Sequence, residues 1–341
     1  MAELKEIFEM VTNKTEPNVD AWREQEQRER RRSTSRRMAA FAVAAAVLLV
    51  VIVAGAALSA RSDTTQPAAT NTAPPALTGT TSLIAIEVAT GTTTNAIGNV
   101  SAFGAAVSPD GERIAFLRSV LGKPEIFMGD LAGTRANQMT GLPGQPGCAC
   151  GAFDPSWSPD GSMIAFSGTD DAGNRGIYTL DIASGRIRAV TRWGGDSFEM
   201  TPAWSPDGSR IAFAAGPWDG EPAGSGMIYT IPAAGGKATL IARAPGAAEP
   251  SWGGDPHTLI YTARANGQTQ VVETATSGAN VRVLTNGAAP ALSPDGTSLA
   301  FTNGADVQVW NLSTGEVHTL GIGGDPTWSP DGSTIYAWRA A

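Results

Sequence analysis

Cysteine, histidine and lysine are scarce in this chain. Its 341 residues hold two Cys, two His and four Lys. A structural zinc site takes about four Cys or His ligands, and nothing near Cys148 and Cys150 supplies the rest. His257 and His318 lie far apart, and no Gly-x-Ser-x-Gly elbow occurs, so nucleophilic hydrolysis has no recognisable machinery. Basic charge is short as well. The formal net charge of −8 argues against a nucleic-acid partner, which needs a basic face. No cofactor and no metal are expected. What is plentiful is Gly, with 40 residues, and Pro, with 22, a composition that predicts many turns between short strands.

Charge is missing altogether from Met38 to Ala60, where Ala, Val, Leu and Ile dominate. As a helix these residues would reach roughly 35 Å, enough for a bilayer core of about 30 Å. The run is longer than the core of a signal peptide and follows a long polar stretch, so residues 38–60 are expected to be an uncleaved transmembrane helix. Arg28, Arg30, Arg31, Arg32, Arg36 and Arg37 precede it and a lone Arg61 follows, which places the amino terminus in the cytoplasm and the rest outside it. The expected location is therefore the cell membrane, single-pass. Residues 1–37 form a polar cytoplasmic tail. Leu4, Ile7, Phe8 and Val11 stand at helical spacing, and with Trp22 they could dock a cytoplasmic partner. Residues 61–81, rich in Thr, Ala, Pro, Asn and Gln, read as a flexible linker.

Residues 82–341 are repetitive. Trp204-Ser205-Pro206-Asp207-Gly208 leads to Ile211-Ala212-Phe213, and related stretches begin at Ala106, Trp157, Trp252, Leu292 and Trp328. Pro sets φ at the first central position of such a turn, Asp can bond back to the backbone, and Gly takes positive φ. Asp110, Asp160, Asp207, Asp295 and Asp331 are accordingly read as turn residues and not as metal ligands. A second pattern follows each of the first five copies, a strand pair around a Gly turn, as in Ile177 to Val190. One further copy of it, Leu83 to Ile97, stands before all the others, and the last first-pattern copy, at Trp328, has none after it. The two ends complete each other. The result is six four-stranded units about 40 residues apart, the signature of an all-β, six-bladed β-propeller whose last blade is closed by both termini.

The W-S-P-D-G-x-x-[IL]-A-[FY] repeat resembles that of the WD40-like, TolB-type propellers, over about residues 82–341. No counterpart of the amino-terminal α/β domain of TolB itself is expected in this sequence. The resemblance implies a binding scaffold more often than an enzyme.

In a propeller the first and third turns of each blade open on one face, and the second turns and the crossovers between blades open on the other. The first and third turns are uniform in this sequence. Length varies at Thr140 to Asp154, Gly168 to Gly176, Thr191 to Thr201 and Ala214 to Gly226. Variable loops on a rigid frame tend to carry function. The loop face of blades 1–3 is thus the expected site for a protein or cell-envelope ligand. Trp193, Phe198 and Trp218 would be its aromatic anchors among Asp170, Asp171, Asp196, Glu199 and Asp219. A calcium site from Asp170, Asp171 and neighbouring carbonyls is an alternative use of the same loops, although calcium takes six or more oxygens and few are in view. Cys148 and Cys150, outside the cytoplasm, are expected to pair as a disulfide. Two other functions fit the same layout: a transmembrane regulator of the anti-sigma kind whose tail binds a partner, and a metal-dependent propeller hydrolase or lactonase.

Overall fold

The computed structural model describes residues 81–100, 104–142, 145, 149–170, 175–191, 197–217 and 225–340. The expected tail, transmembrane helix and linker lie outside these residues. Among the described residues no helix is long and apolar enough to cross a membrane.

The first strands are β1 (Thr81–Glu87) and β2 (Thr93–Val100). Blade 1 follows with β3 (Ala105–Val107), β4 (Arg113–Val120), β5 (Lys123–Asp130) and β6 (Asn137–Gln138). Blade 2 has β7 (Ala149–Trp157), β8 (Met163–Asp170), β9 (Arg175–Asp181) and β10 (Ile187–Ala189). Blade 3 has β11 (Ser197–Trp204), β12 (Arg210–Pro217), β13 (Ser225–Pro232) and β14 (Thr239–Pro245). Blade 4 has β15 (Ala248–Trp252), β16 (Thr258–Ala265), β17 (Gln268–Ala275) and β18 (Arg282–Asn286). Blade 5 has β19 (Ala288–Leu292), β20 (Ser298–Asn303), β21 (Asp306–Asn311) and β22 (Val317–Ile322). The chain ends in β23 (Gly324–Trp328) and β24 (Thr334–Ala340).

Six four-stranded antiparallel sheets result, and the sixth has the order β2-β1-β24-β23. The repeats predict this closure, and the register shows it residue by residue, from Thr81 opposite Ala340 to Glu87 opposite Thr334. Arg339 ties it further by donating to Asn95 Oδ1 across 2.9 Å. Each innermost strand neighbours the next, and β23 neighbours β3, so the ring is closed.

The second strand of each blade explains the stability of the stack. Ile114, Ala115, Phe116 and Leu117 of β4 are all buried, as are Ile211, Ala212 and Phe213 of β12. Alternate residues point into opposite seams, so every blade is covered on both faces by its neighbours. Burial of a Phe or Ile side chain contributes about 1.5–3 kcal/mol, and a lone blade would have nothing to bury against.

The strands reach further than turn signals alone suggest. Four connections read from sequence as long loops are entered by β7 from Ala149, β8 to Asp170, β11 from Ser197 and β12 to Pro217. Asp154 and Thr201 therefore lie inside strands.

Candidate functional site

The turn face is built from one repeated device. Ser205 Oγ donates to Asp207 Oδ1 at 2.6 Å and accepts the Arg210 N–H at 2.9 Å, while Asp207 Oδ1 accepts the Ser209 N–H at 3.0 Å. The same bonds recur around Ser158 and Asp160, Ser293 and Asp295, and Ser329 and Asp331. Ser108 and Asp110 make them too. These serines are buried and their hydroxyls are fully used. The hydroxyl and amide donors favour the ionised carboxylate and lower the pKa of Asp110, Asp160, Asp295 and Asp331. Asp207 falls to about 2, with the Ser205 hydroxyl as the first cause. First and third turns of a blade are tied together, as by Ile182 N–H to Ser162 O and Ala233 N–H to Ser209 O. The aspartates of this face are occupied in holding it together.

The channel side of the ring is different. In five innermost strands the register skips a pair of residues: Asp154-Pro155, Thr201-Pro202, Glu249-Pro250, Ala289-Pro290 and Asp325-Pro326. Pro has no N–H to give the ladder, so it sits in a bulge. The residue before it takes left-handed φ, between 48° and 51° in all five cases. That conformation is uncommon for residues other than Gly. Blade 1 has Gly104 at the equivalent place, with φ 84°. A Cβ there would lie 2.9 Å from Pro155 Cδ and 3.0 Å from Asp154 Cα, so only Gly fits against the neighbouring blade.

The bulge re-aims one side chain per blade, and acids occupy blades 2, 4 and 6. Asp154 Oδ2 accepts the Ser167 hydroxyl and the Thr201 N–H of the next blade, each at 3.3 Å. Glu249 Oε2 accepts the Thr262 hydroxyl and the Ala289 N–H of its next blade, each at 2.7 Å. Asp325 donates its own N–H to Thr302 Oγ1 at 3.2 Å, but among the described residues its carboxylate accepts nothing. Desolvation raises the pKa of Asp154, and the Glu249 charge adds to the rise. Asp325 is pushed up to about 6 by desolvation, then by the charges of Glu249 and Asp154. Blades 2, 4 and 6 are not neighbours, so these charges act on one another across the channel. Asp325 is exposed to solvent in the lumen yet surrounded by protein elsewhere, which is how an accessible carboxyl comes to be poorly solvated. No described Arg, Lys or His acts on either aspartate. Phe153, beside Asp154, is 40% exposed. Such a channel offers hydrogen-bond acceptors and negative charge to whatever reaches it.

Asp154, Glu249 and Asp325 carry no motif that marks them as a site in the sequence. Of the loop-face residues expected from the sequence, Trp193, Asp196, Asp171, Trp218 and Asp219 lie outside the described residues, as does Cys148. Phe198 and Glu199 stand in β11 opposite Gly216 and Ala215. Asp170 ends β8 opposite Ala149, next to Cys150. The structure thus brings Asp170, Phe198 and Glu199 to the loop-face ends of blades 2 and 3. Among the described residues no group of three or more His, Cys, Asp or Glu is placed to hold a metal ion.

Comparison with known proteins agrees with this architecture. Residues 90–308 match the family model described as the TolB beta propeller domain. No curated protein matches the chain. Among solved structures, a putative TolB from Agrobacterium tumefaciens is 22% identical with TM-score 0.63, and the match covers 77% of this chain and 99% of that one. TolB from Acinetobacter baumannii is 20% identical with TM-score 0.51, covering 78% of this chain and 65% of that one. A gluconolactonase from Xanthomonas campestris is 16% identical with TM-score 0.52, covering 70% and 86%. At these identities the likeness shows the fold.

Proposed function

This chain belongs to the TolB β-propeller family, and we propose that it is a binding scaffold for a protein or cell-envelope ligand, held at the membrane by residues 38–60 with the propeller outside the cytoplasm. The ligand approaches on the loop face and offers hydrogen-bond donors or positive charge to the mouth of the channel. One observation carries this reading: Asp154, Glu249 and Asp325 converge from alternate blades with no described cation acting on either aspartate. A rigid closed ring with such a lumen suits recognition, since little entropy is lost on binding a preorganised surface. The loop residues Trp193, Phe198 and Trp218 would add apolar anchoring around that mouth.

The test is capture of envelope proteins by the full chain in mild detergent. One variant carries Asp154→Asn, Glu249→Gln and Asp325→Asn together, and another carries Ala at Trp193, Phe198 and Trp218. A partner retained by the wild type and lost from either variant supports the reading. Identical capture by all three proteins refutes the proposed face. A tail that binds a cytoplasmic regulator is compatible with the same topology, and its motive is the row Leu4, Ile7, Phe8, Val11 and Trp22. The gluconolactonase neighbour raises a hydrolase reading, which no arrangement of described side chains favours over binding.

A further inference from the structure

The six seams between blades are of two kinds, and the kinds alternate. At the seam between blades 1 and 2, Trp157 Nε1 donates to Ala106 O of the preceding innermost strand at 2.9 Å. Trp252 does the same to Ala203 O between blades 3 and 4, and Trp328 to Ala291 O between blades 5 and 6, both at 2.9 Å. Arg113 stacks over Trp157 and Arg210 over Trp252, which tightens two of these seams further. Among the described residues the other three seams have no such tryptophan lock, although between blades 2 and 3 the Trp204 backbone N–H donates to Ser156 Oγ and Arg188 donates to the carbonyls of Ala233 and Ala234. Between blades 2 and 3 the buried Trp204 Nε1 has no acceptor. Leu292 and Val107 stand at the corresponding places between blades 4 and 5 and between blades 6 and 1. These are the seams that the channel acids serve. Asp154 bridges to blade 3 through Thr201 N–H, and Glu249 bridges to blade 5 through Ala289 N–H. Asp325 stands at the third, beside the blade that carries Gly104, without a donor among the described residues.

We propose that the ring is built as three two-blade modules, each closed by a tryptophan lock, and that the seams between modules tighten on mild acidification. The two hydrogen bonds that Asp154 accepts oppose the rise in pKa that desolvation imposes on it. Asp325 has no such bonds among the described residues, is open to solvent and takes up a proton as the pH falls through about 6. Its neutralisation removes one of the three mutually repelling charges and lets the two remaining carboxylates bind their amide donors more firmly. The groups that face Asp154 are Glu249 on β15 and Asp325 on β23 across the lumen, Thr201 N–H on β11 and the Ser167 hydroxyl on β8. The equivalent places on blades 1 and 5, Gly104 and Ala289, bear no charge. The tryptophan locks contain no group that titrates between pH 5 and 8, so they do not respond.

Thermal unfolding of the full chain at pH 7.5, 6.5 and 5.5 is the test, with amide exchange as a second readout. The wild type is expected to melt about 2–4 °C higher at pH 5.5 than at pH 7.5. Asp325→Asn should melt higher than the wild type at pH 7.5 and show a smaller rise between pH 7.5 and pH 5.5. After correction for intrinsic rates, the Thr201 and Ala289 amides should exchange more slowly at pH 5.5 than at pH 7.5 in the wild type, and equally slowly at both in the variant. A wild-type rise retained in full by Asp325→Asn overturns the proposal. So does amide protection at Thr201 and Ala289 that ignores pH. Should Asp325→Asn fail to fold, Glu249→Gln replaces it: the variant removes one charge facing Asp325 and keeps an oxygen for Ala289 N–H, so the rise on acidification should shrink, and a rise unchanged from the wild type overturns the proposal.

Discussion

On the turn face, Asp207 accepts a serine hydroxyl and a backbone amide and is held ionised down to about pH 2. In the channel, Asp325 accepts nothing from the described residues, faces two other carboxylates and holds its proton up to about pH 6. The side chain is the same and the surroundings decide. Where donors converge on the carboxylate, ionisation stabilises the local fold. Where carboxylates converge on each other in a crowded lumen, ionisation works against it. The sign of the pH dependence follows. A folded-state pKa below the unfolded value adds stability above about pH 4, lost as pH falls toward the folded pKa. A folded-state pKa above the unfolded value means the ionised form weakens the fold at neutral pH, and that penalty lifts as pH falls through about 6 toward 4. The two regions together place maximal stability in mild acid, between about pH 4 and 6.

The largest expected difference between the regions is at glycine. Gly104→Ala puts a Cβ against Pro155 and the Asp154 backbone and imposes left-handed φ on Ala. The cost should be about 2–5 kcal/mol, from backbone strain and overpacking together. Gly185→Ala on the turn face has φ 67° but nothing within 4 Å of the new Cβ. It should cost about 1–2 kcal/mol. Chemical denaturation of both variants decides the matter. Equal costs would mean that the close approach of blades 1 and 2 at the channel carries no energy.

A smaller effect is expected from the turn device itself. Ser205→Ala removes the acceptor for Arg210 N–H and one donor to Asp207, in a side chain that is fully buried. An orphaned buried donor costs about 1–3 kcal/mol. The same variant should raise the Asp207 pKa, readable by carboxyl NMR titration. An unchanged titration would show that the hydroxyl is not what holds Asp207 ionised.

These two regions were unequally legible in the sequence. The turn face is written in local chemistry: Ser-Pro-Asp-Gly specifies its own conformation, so the copies at Ser108, Ser158, Ser205, Ser293 and Ser329, with the degenerate copy after Trp252, give the six blades. The split blade was legible for the same reason, because Leu83 to Ile97 is an orphan copy that needs Trp328 to Ala337 as its complement. The channel was not legible as a site because its residue type varies from blade to blade: Gly104, Asp154, Thr201, Glu249, Ala289 and Asp325 share a backbone position but only two of them share a side chain. A residue before Pro also reads as the end of a loop, which is why Asp154 and Thr201 were assigned to connections. A signal was present nonetheless. Five units carry an x-Pro pair two residues before the Trp or Leu that precedes the turn, and a Pro recurring inside an innermost strand implies a bulge there. What that bulge does to three acids depends on ring closure, a property of the whole fold that no local motif encodes.

The smallest effect is the most discriminating. Asp207→Asn keeps an oxygen to accept the Ser205 hydroxyl and the Ser209 N–H, so at neutral pH its stability should stay near that of the wild type. Its signature lies in acid. The wild-type carboxylate must be protonated between its unfolded pKa and about 2 for the fold to lose its support. Proton uptake on acid unfolding should therefore fall by up to about one proton in the variant. The pH 5.5–7.5 window, where Asp325 titrates, should not move. Acid titration monitored by circular dichroism, with Asp325→Asn alongside, reads both windows. If Asp207→Asn alters the neutral window, or Asp325→Asn alters the acid limb below pH 4, the carboxylates of the two regions are coupled through the blades, and turn face and channel do not act as separate electrostatic systems.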